Sequence, residues 1–200
     1  MIANVKDKTT LRAEALARRD TLTTTQREQG SRAIAERAIA IAEELSPKVI
    51  AAYMPIWSEV DTGGVIAWAR DRGVDVALPT VRAPSDLIFR LYRPGDALEA
   101  HRFGTLAPAA DAALVYPDIV IAPMIAFDRV GTRLGYGRGF YDRAIAALAA
   151  RSRRPTIIGV AFSVQEASAI PAEAHDERLD WIVTEKETIA PMRRVAERQG

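Results

Sequence analysis

Four glycines fall within nine residues of the stretch Gly131-Thr132-Arg133-Leu134-Gly135-Tyr136-Gly137-Arg138-Gly139-Phe140-Tyr141-Asp142-Arg143. Arginines, aromatics and a carboxylate are threaded among them. Glycine adopts positive φ and has no side chain to keep a ligand from the backbone N–H groups. Arg133 and Arg138 can neutralise phosphate oxygens with paired hydrogen bonds. Asp142 offers a hard oxygen to magnesium, an ion that shares its ligands with phosphates. An apolar run, Ile119 to Ile125, precedes the stretch, and an alanine-rich segment, Ala144 to Ala150, follows it. The glycines therefore join a strand to a helix, where N–H groups and a helix dipole can hold an anion. Gly135, Gly137 and Gly139 run at two-residue spacing, which matches neither a Walker A loop nor the dinucleotide fingerprint. The alternative is a long structural turn with Asp142 as a first-turn helix charge.

Other chemistry-bearing residues lie elsewhere. Lys8, Arg12 and Arg19 return to one face of a helix running from Lys8 to Asp20 with Asp7 as its cap. They form either a solvated basic face or a clamp on an anion. Glu59, in the loop Ile56 to Thr62, sits too early to cap the next helix, a task for Asp61 or Thr62. That leaves Glu59 open to a ligand. His175 and Asp176 are adjacent, so they cannot easily pair side chain to side chain, and no nucleophile motif accompanies them. His101 reads as a surface residue. Arg151 to Arg154 read as a solvated helix end that compensates the dipole.

With Ala122-Pro123 and Ala126-Phe127-Asp128 ahead of it, the glycine stretch resembles the 5-formyltetrahydrofolate cyclo-ligase family, also called methenyltetrahydrofolate synthetase. The family pattern runs G-x-R-L-G-x-G-x-G-[YF]-Y-D-R, and every fixed position is matched, Phe140 standing where tyrosine is commoner. Lys8-x-x-Leu11-Arg12 is similar to the family's N-terminal K-x-x-L-R element, whose basic residues contact ATP phosphates. The run Tyr53 to Thr62 is similar to a strand-loop element in which the glutamate, here Glu59, binds the pterin and the residue at Met54 lines its pocket. Pro171-x-x-x-His175-Asp176 is similar to a C-terminal element whose aspartate is associated with the metal. Ala107 stands where the family often has an acidic residue. The resemblance implies ATP contacts from Lys8, Arg12, Arg133, Leu134, Gly135, Tyr136, Gly137, Arg138, Gly139, Phe140 and Tyr141. It implies folate contacts from Met54, Glu59, Tyr136, Gly137, Arg138, Gly139 and Phe140. Asp142 and Asp176 would hold Mg2+, and Arg133 and Arg138 would be catalytic.

The elements that must position these residues alternate. Helices are expected from Lys8 to Asp20, from a Thr24 or Thr25 cap to about Leu45, and from Gly63 to Arg72 with Gly73 closing it. Strands are expected at Val49–Met54, Val74–Val81, Leu87–Tyr92, Asp118–Met124, Thr156–Phe162 and Trp181–Thr184, the third at an edge. Leu98 to Pro117 is rich in loops. This alternation predicts one three-layer α/β/α domain over residues 1–200, with a mostly parallel, mixed sheet and N-terminal helices. Ligands of such sheets bind beyond the carboxyl ends of the strands. Glu59 follows the first strand, the glycine loop the fourth and Asp176 the fifth, so parallel strands bring all three to one edge.

Bulk properties narrow the classes. A formal charge of +1 argues against a general nucleic-acid or membrane-surface binder, and no apolar stretch approaches a membrane span. The absence of cysteine excludes disulfides and thiolate metal sites. No secretory signal core precedes Thr10, and a cytoplasmic protein is expected. The resemblance implies an ATP- and Mg2+-dependent ligase that converts 5-formyltetrahydrofolate to 5,10-methenyltetrahydrofolate with release of ADP and phosphate. It would act as a monomer, with no nucleic-acid or membrane partner. Two rivals are a sugar-phosphate isomerase using the same loop without ATP, and a nucleotide-binding regulatory module without turnover.

Overall fold

The computed structural model describes residues 7–83, 86–100, 104–151 and 153–191. His101 and the Pro84-Ser85 turn lie outside these residues. The strands are β1 (Val49–Ala51), β2 (Asp75–Ala83), β3 (Asp86–Tyr92), β4 (Leu98–Ala100), β5 (Leu106–Pro108), β6 (Ile119–Pro123), β7 (Ala126–Phe127), β8 (Arg133–Leu134), β9 (Thr156–Val160), β10 (Trp181–Val183) and β11 (Thr188–Ile189). The helices are α1 (Lys8–Asp20), α2 (Thr24–Leu45), α3 (Gly63–Asp71) and α4 (Phe140–Arg151).

Seven strands form one sheet in the order β11-β10-β9-β6-β1-β2-β3. From β10 to β2 all neighbours are parallel, and β3 and β11 add antiparallel edges. The parallel strands are apolar almost throughout because helices cover both faces. On one face Ile34, Ala38 and Ile41 of α2 and Val65 and Ala69 of α3 pack on Ile50, Leu78, Ile119, Ile121 and Val160. On the other, Ala144 and Ile145 of α4 pack on Ala51, Val120, Ala122, Ile157 and Ile182. The expected three layers and mixed sheet are present. The first helix belongs to neither layer. Leu11 and Ala15 of α1 pack on Ile125, Ala126, Leu134, Ala167 and Ile170, over the loops at the carboxyl edge of the sheet.

Several expectations change in detail. Thr23, not Thr24 or Thr25, caps α2, in a capping box with Gln26. Thr62 occupies the N-cap of α3 without a capping bond. Its hydroxyl donates to Tyr53 O instead, and Asp61 Oδ1 accepts from Gly63 N at 2.8 Å. The first strand stops at Ala51, with one further ladder bond from Ala52 N to Ala77 O. The region from Leu98 holds the antiparallel pair β4–β5, with Ala107 buried in it. Trp181–Val183 is not the last strand, since β11 pairs beside it. Arg154 is not a solvated helix end: it bonds Asp180 Oδ2 at 2.7 Å and Arg178 O at 2.6 Å, pinning the loop that carries Asp176.

The glycine stretch also divides. A hairpin, β7 paired with β8, is inserted between β6 and the phosphate-loop candidate. Gly131 turns that hairpin at φ 88°, where a Cβ would lie 3.2 Å from Leu179 O. Buried Asp128 braces the hairpin by accepting from Thr132 N at 2.8 Å and Ile170 N at 3.0 Å. Gly135 to Gly139 then lead directly into α4.

Candidate active site

Beyond the carboxyl ends of β1, β6 and β9 lies one cavity of about 530 Å3. Lys8, Arg12, Met54, Glu59, Asp176 and the whole run from Arg133 to Asp142 line it. Every residue singled out in the sequence for ATP, folate or metal therefore borders one space.

The phosphate-loop candidate is held from above by α1. Arg12 Nε donates to Gly135 O at 2.7 Å. Gly137 has φ 85°, and a Cβ there would come within 3.1 Å of Arg12 Nη2. Gly135 faces open space, where an added Cβ would meet nothing within 4 Å. Lys8 Nζ pairs with Glu173 Oε1 and Asp176 Oδ2, each at 3.1 Å. Although burial opposes it, pairing with the two carboxylates raises the Lys8 pKa, and both pairs hold the ammonium charged. Asp176 is lowered despite its own burial, by the Glu173 N–H and Lys8.

Arg133 has a more internal role than its sequence position suggests. Its side chain is 6% exposed. Nη2 donates to Asp142 Oδ1 at 2.6 Å and Nη1 to Glu177 O at 2.6 Å. Burial lowers its pKa, and Asp142 is the main opposing influence. Glu177 N also donates to Asp142 Oδ1 at 3.0 Å, so Asp142 is tied to the residue next to Asp176.

Part of the lining is aromatic and carboxylic. Glu59 is not wholly open: Oε2 accepts from Ile56 N at 3.0 Å and Oε1 from the Tyr136 hydroxyl at 3.3 Å. Burial nevertheless raises its pKa. Burial and the charge of Glu59 also push the Tyr53 and Tyr141 phenols up. Trp57 is 77% exposed, has φ 53°, and meets Tyr136 edge to face at 5.6 Å. Pro79, Val81 and Leu87 complete the apolar wall. Val81 and Leu87 are register partners where the β2–β3 hairpin rises past shorter β1.

Magnesium suits the carboxylates present. Asp142 and Asp176 each give one oxygen to protein donors and keep the other without a hydrogen bond among the described residues. Such hard oxygen donors match the ion's preference. Glu173, His175 and Asp176 also bring ligand atoms within 4.8 Å of one another. Glu173 was not legible as a candidate, since nothing in its sequence neighbourhood marks it. Arg19 was legible only as a basic residue seven places from Arg12. It is 2% exposed and reaches Ser58 beside Glu59.

The profile of the 5-formyltetrahydrofolate cyclo-ligase family matches residues 4–185. The chain belongs to that family. It is an enzyme of it, so the regulatory-module rival falls. A 5-formyltetrahydrofolate cyclo-ligase of Haemophilus influenzae is 29% identical over 179 residues, covering 86% of this chain and 95% of its own length. One of Escherichia coli strain K12 is 30% identical over 173 residues, covering 84% and 94%. Among solved structures, the 5,10-methenyltetrahydrofolate synthetase of Aquifex aeolicus superimposes with a TM-score of 0.77 at 28% identity, covering 96% of this chain and 97% of that one. Among the described residues, no helix is long and apolar enough to cross a membrane.

Proposed function

We propose that the protein uses ATP and Mg2+ to convert 5-formyltetrahydrofolate to 5,10-methenyltetrahydrofolate, releasing ADP and phosphate. The observation that carries this reading is one cavity lined by two unlike sets of groups. Lys8, Arg12 and Arg138 bring cations to it, while Glu59 and the Trp57–Tyr136 pair bring a carboxylate and aromatic surface. A triphosphate suits the first set and a flat heterocycle with N–H donors the second.

The formyl group on N5 is amide-like and a poor electrophile. Attack by its oxygen on the γ-phosphorus forms a new P–O bond and breaks the bond to ADP. The carbon is then activated, because its oxygen can leave as phosphate. N10 attacks that carbon, the C–O bond breaks, and N10 gives up its proton to solvent, leaving the methenyl bridge. No general base is assigned, since N10 is a neutral amine. Lys8, Arg12 and Arg138 bind and orient the phosphates. Arg133 fixes Asp142 and the Glu177 backbone. Asp142 and Asp176 would hold Mg2+, which neutralises developing phosphate charge when bound. Glu59 and Met54 orient the pterin, so that most of the rate comes from positioning.

The test is an omission series with purified protein. The methenyl chromophore and ADP should appear in equal amounts, and only when 5-formyltetrahydrofolate, ATP and Mg2+ are all present. ADP without chromophore would move the reading to another phosphoryl acceptor. No ADP under any condition would end it.

A further inference from the structure

Among the described residues, the mechanism leaves a buried arginine unused. Arg19 is 2% exposed, yet its Nε donates to a hydroxyl, Ser58 Oγ at 2.9 Å, and not to a carboxylate. Ser58 Oγ passes the contact on by donating to Asp20 Oδ1 at 2.6 Å. Asp20 itself is largely exposed and stands 4.0 Å from Arg19 Nε, so it is a weak counter-charge. A buried guanidinium needs fuller compensation than that. The next residue in the chain after Ser58 is Glu59, whose Oε1 accepts from the Tyr136 hydroxyl at 3.3 Å.

We propose that Arg19 is a positioning residue, whose buried guanidinium clamps the Ser58–Glu59 loop through Ser58 and so holds the Glu59 side chain at the cavity as an acceptor. The inference rests on the reading that Glu59 binds the folate. Arg19 and Asp20 face this loop from α1, Tyr53 from the end of β1, Tyr136 from the glycine loop and Tyr141 from α4. Asp61 lies in the same segment. Arg19 is the cation of the set. Burial works against ionised Glu59, while the Ile56 N–H, Arg19 and Tyr136 work for it. A neutral Glu59 would offer the pterin edge an O–H donor where an acceptor is needed.

The test follows KM for 5-formyltetrahydrofolate and KM for ATP against pH in the full chain. In Arg19→Gln, the rise of folate KM on acidification should move to higher pH, so that on the acid side of both profiles KM exceeds that of the unsubstituted enzyme by about tenfold for each unit of displacement, the two converging at alkaline pH. KM for ATP should stay within about twofold, and Arg19→Lys should recover most of the loss. A folded Arg19→Gln protein whose profile superimposes on that of the unsubstituted enzyme overturns the proposal. If Arg19→Gln does not fold, Ser58→Ala takes its place and should displace the profile the same way, by less. Superposition there overturns the proposal equally. Glu59→Gln separates the two readings. An unchanged folate KM in that variant removes the role of Glu59 and this inference with it. A raised folate KM that no longer varies with pH, beside an unmoved Arg19→Gln profile, removes Arg19 alone.

Discussion

Asp142 shows how much a residue's partners alter what its type suggests. Its carboxylate is a metal candidate, but it also neutralises a buried arginine and anchors Glu177 N. Asp142→Ala would strand the Arg133 charge, and should cost about 2–4 kcal/mol of stability as well as turnover. Asp142→Asn keeps an acceptor for Glu177 N. It should retain more of the fold by thermal melting and lose turnover by about 100-fold or more. If Asp142→Asn keeps full activity, the aspartate is structural. Glu59 gives a second prediction. Burial raises its folded pKa, so at pH values between the unfolded and the folded pKa the folded state keeps a proton that the unfolded chain has released, and above both the ionised carboxylate carries a net cost. The stability this contributes is present below the unfolded value and is lost as pH rises through the folded one. Glu59→Gln should therefore melt higher than the unsubstituted protein at neutral pH, while binding the folate more weakly. A lower melting temperature there would contradict the sign. Residue types and spacing were enough to nominate Asp142 and to leave Glu59 open to a ligand, whereas Lys8, Arg12 and Asp176 needed the family resemblance as well. The ties of Arg133 and Arg19 were hidden, because both depend on contacts between distant segments.

At the scale of elements, the strand order did most of the positioning. Parallel β1, β6 and β9 were readable as apolar runs between helices, and their carboxyl ends converge as that alternation requires. The β7–β8 hairpin was not readable, because strands of two residues carry no period. Nor was the full reach of β2, which runs on past the expected Val81 to Ala83. The glycine loop gives a third prediction. Gly137→Ala places a Cβ at positive φ and against Arg12. It should cost about 1–3 kcal/mol and displace that guanidinium. Gly135→Ala meets nothing in the protein. Its melting temperature should stay within about 2 °C, while KM for ATP rises about tenfold if phosphate oxygens need that space. An unchanged KM for ATP would place the nucleotide elsewhere.

For the whole molecule, α1 acts as a strap that closes the cavity over the sheet. Arg12 grips Gly135 O, Lys8 grips Glu173 and Asp176, and Arg18 grips Val164 O at 2.6 Å. The helix that carries Lys8 and Arg12 thus also joins the glycine loop to the loop that carries Asp176. Nucleotide binding and folding should be coupled: Mg-ATP at 100 times its Kd should stabilise the protein by about 2.7 kcal/mol. An unmoved unfolding transition at saturating Mg-ATP would sever that link. The sequence could place α1 and its basic face, but not the strap, since what Leu11 and Ala15 cover depends on the hairpin beneath them.

The central claim is that the formyl oxygen itself receives the phosphoryl group. It is tested by supplying 5-formyltetrahydrofolate labelled with heavy oxygen in the formyl group and analysing the released phosphate by mass. Full transfer of the label into phosphate is the expected result. Unlabelled phosphate would mean that water accepts the phosphoryl group, and would contradict the account.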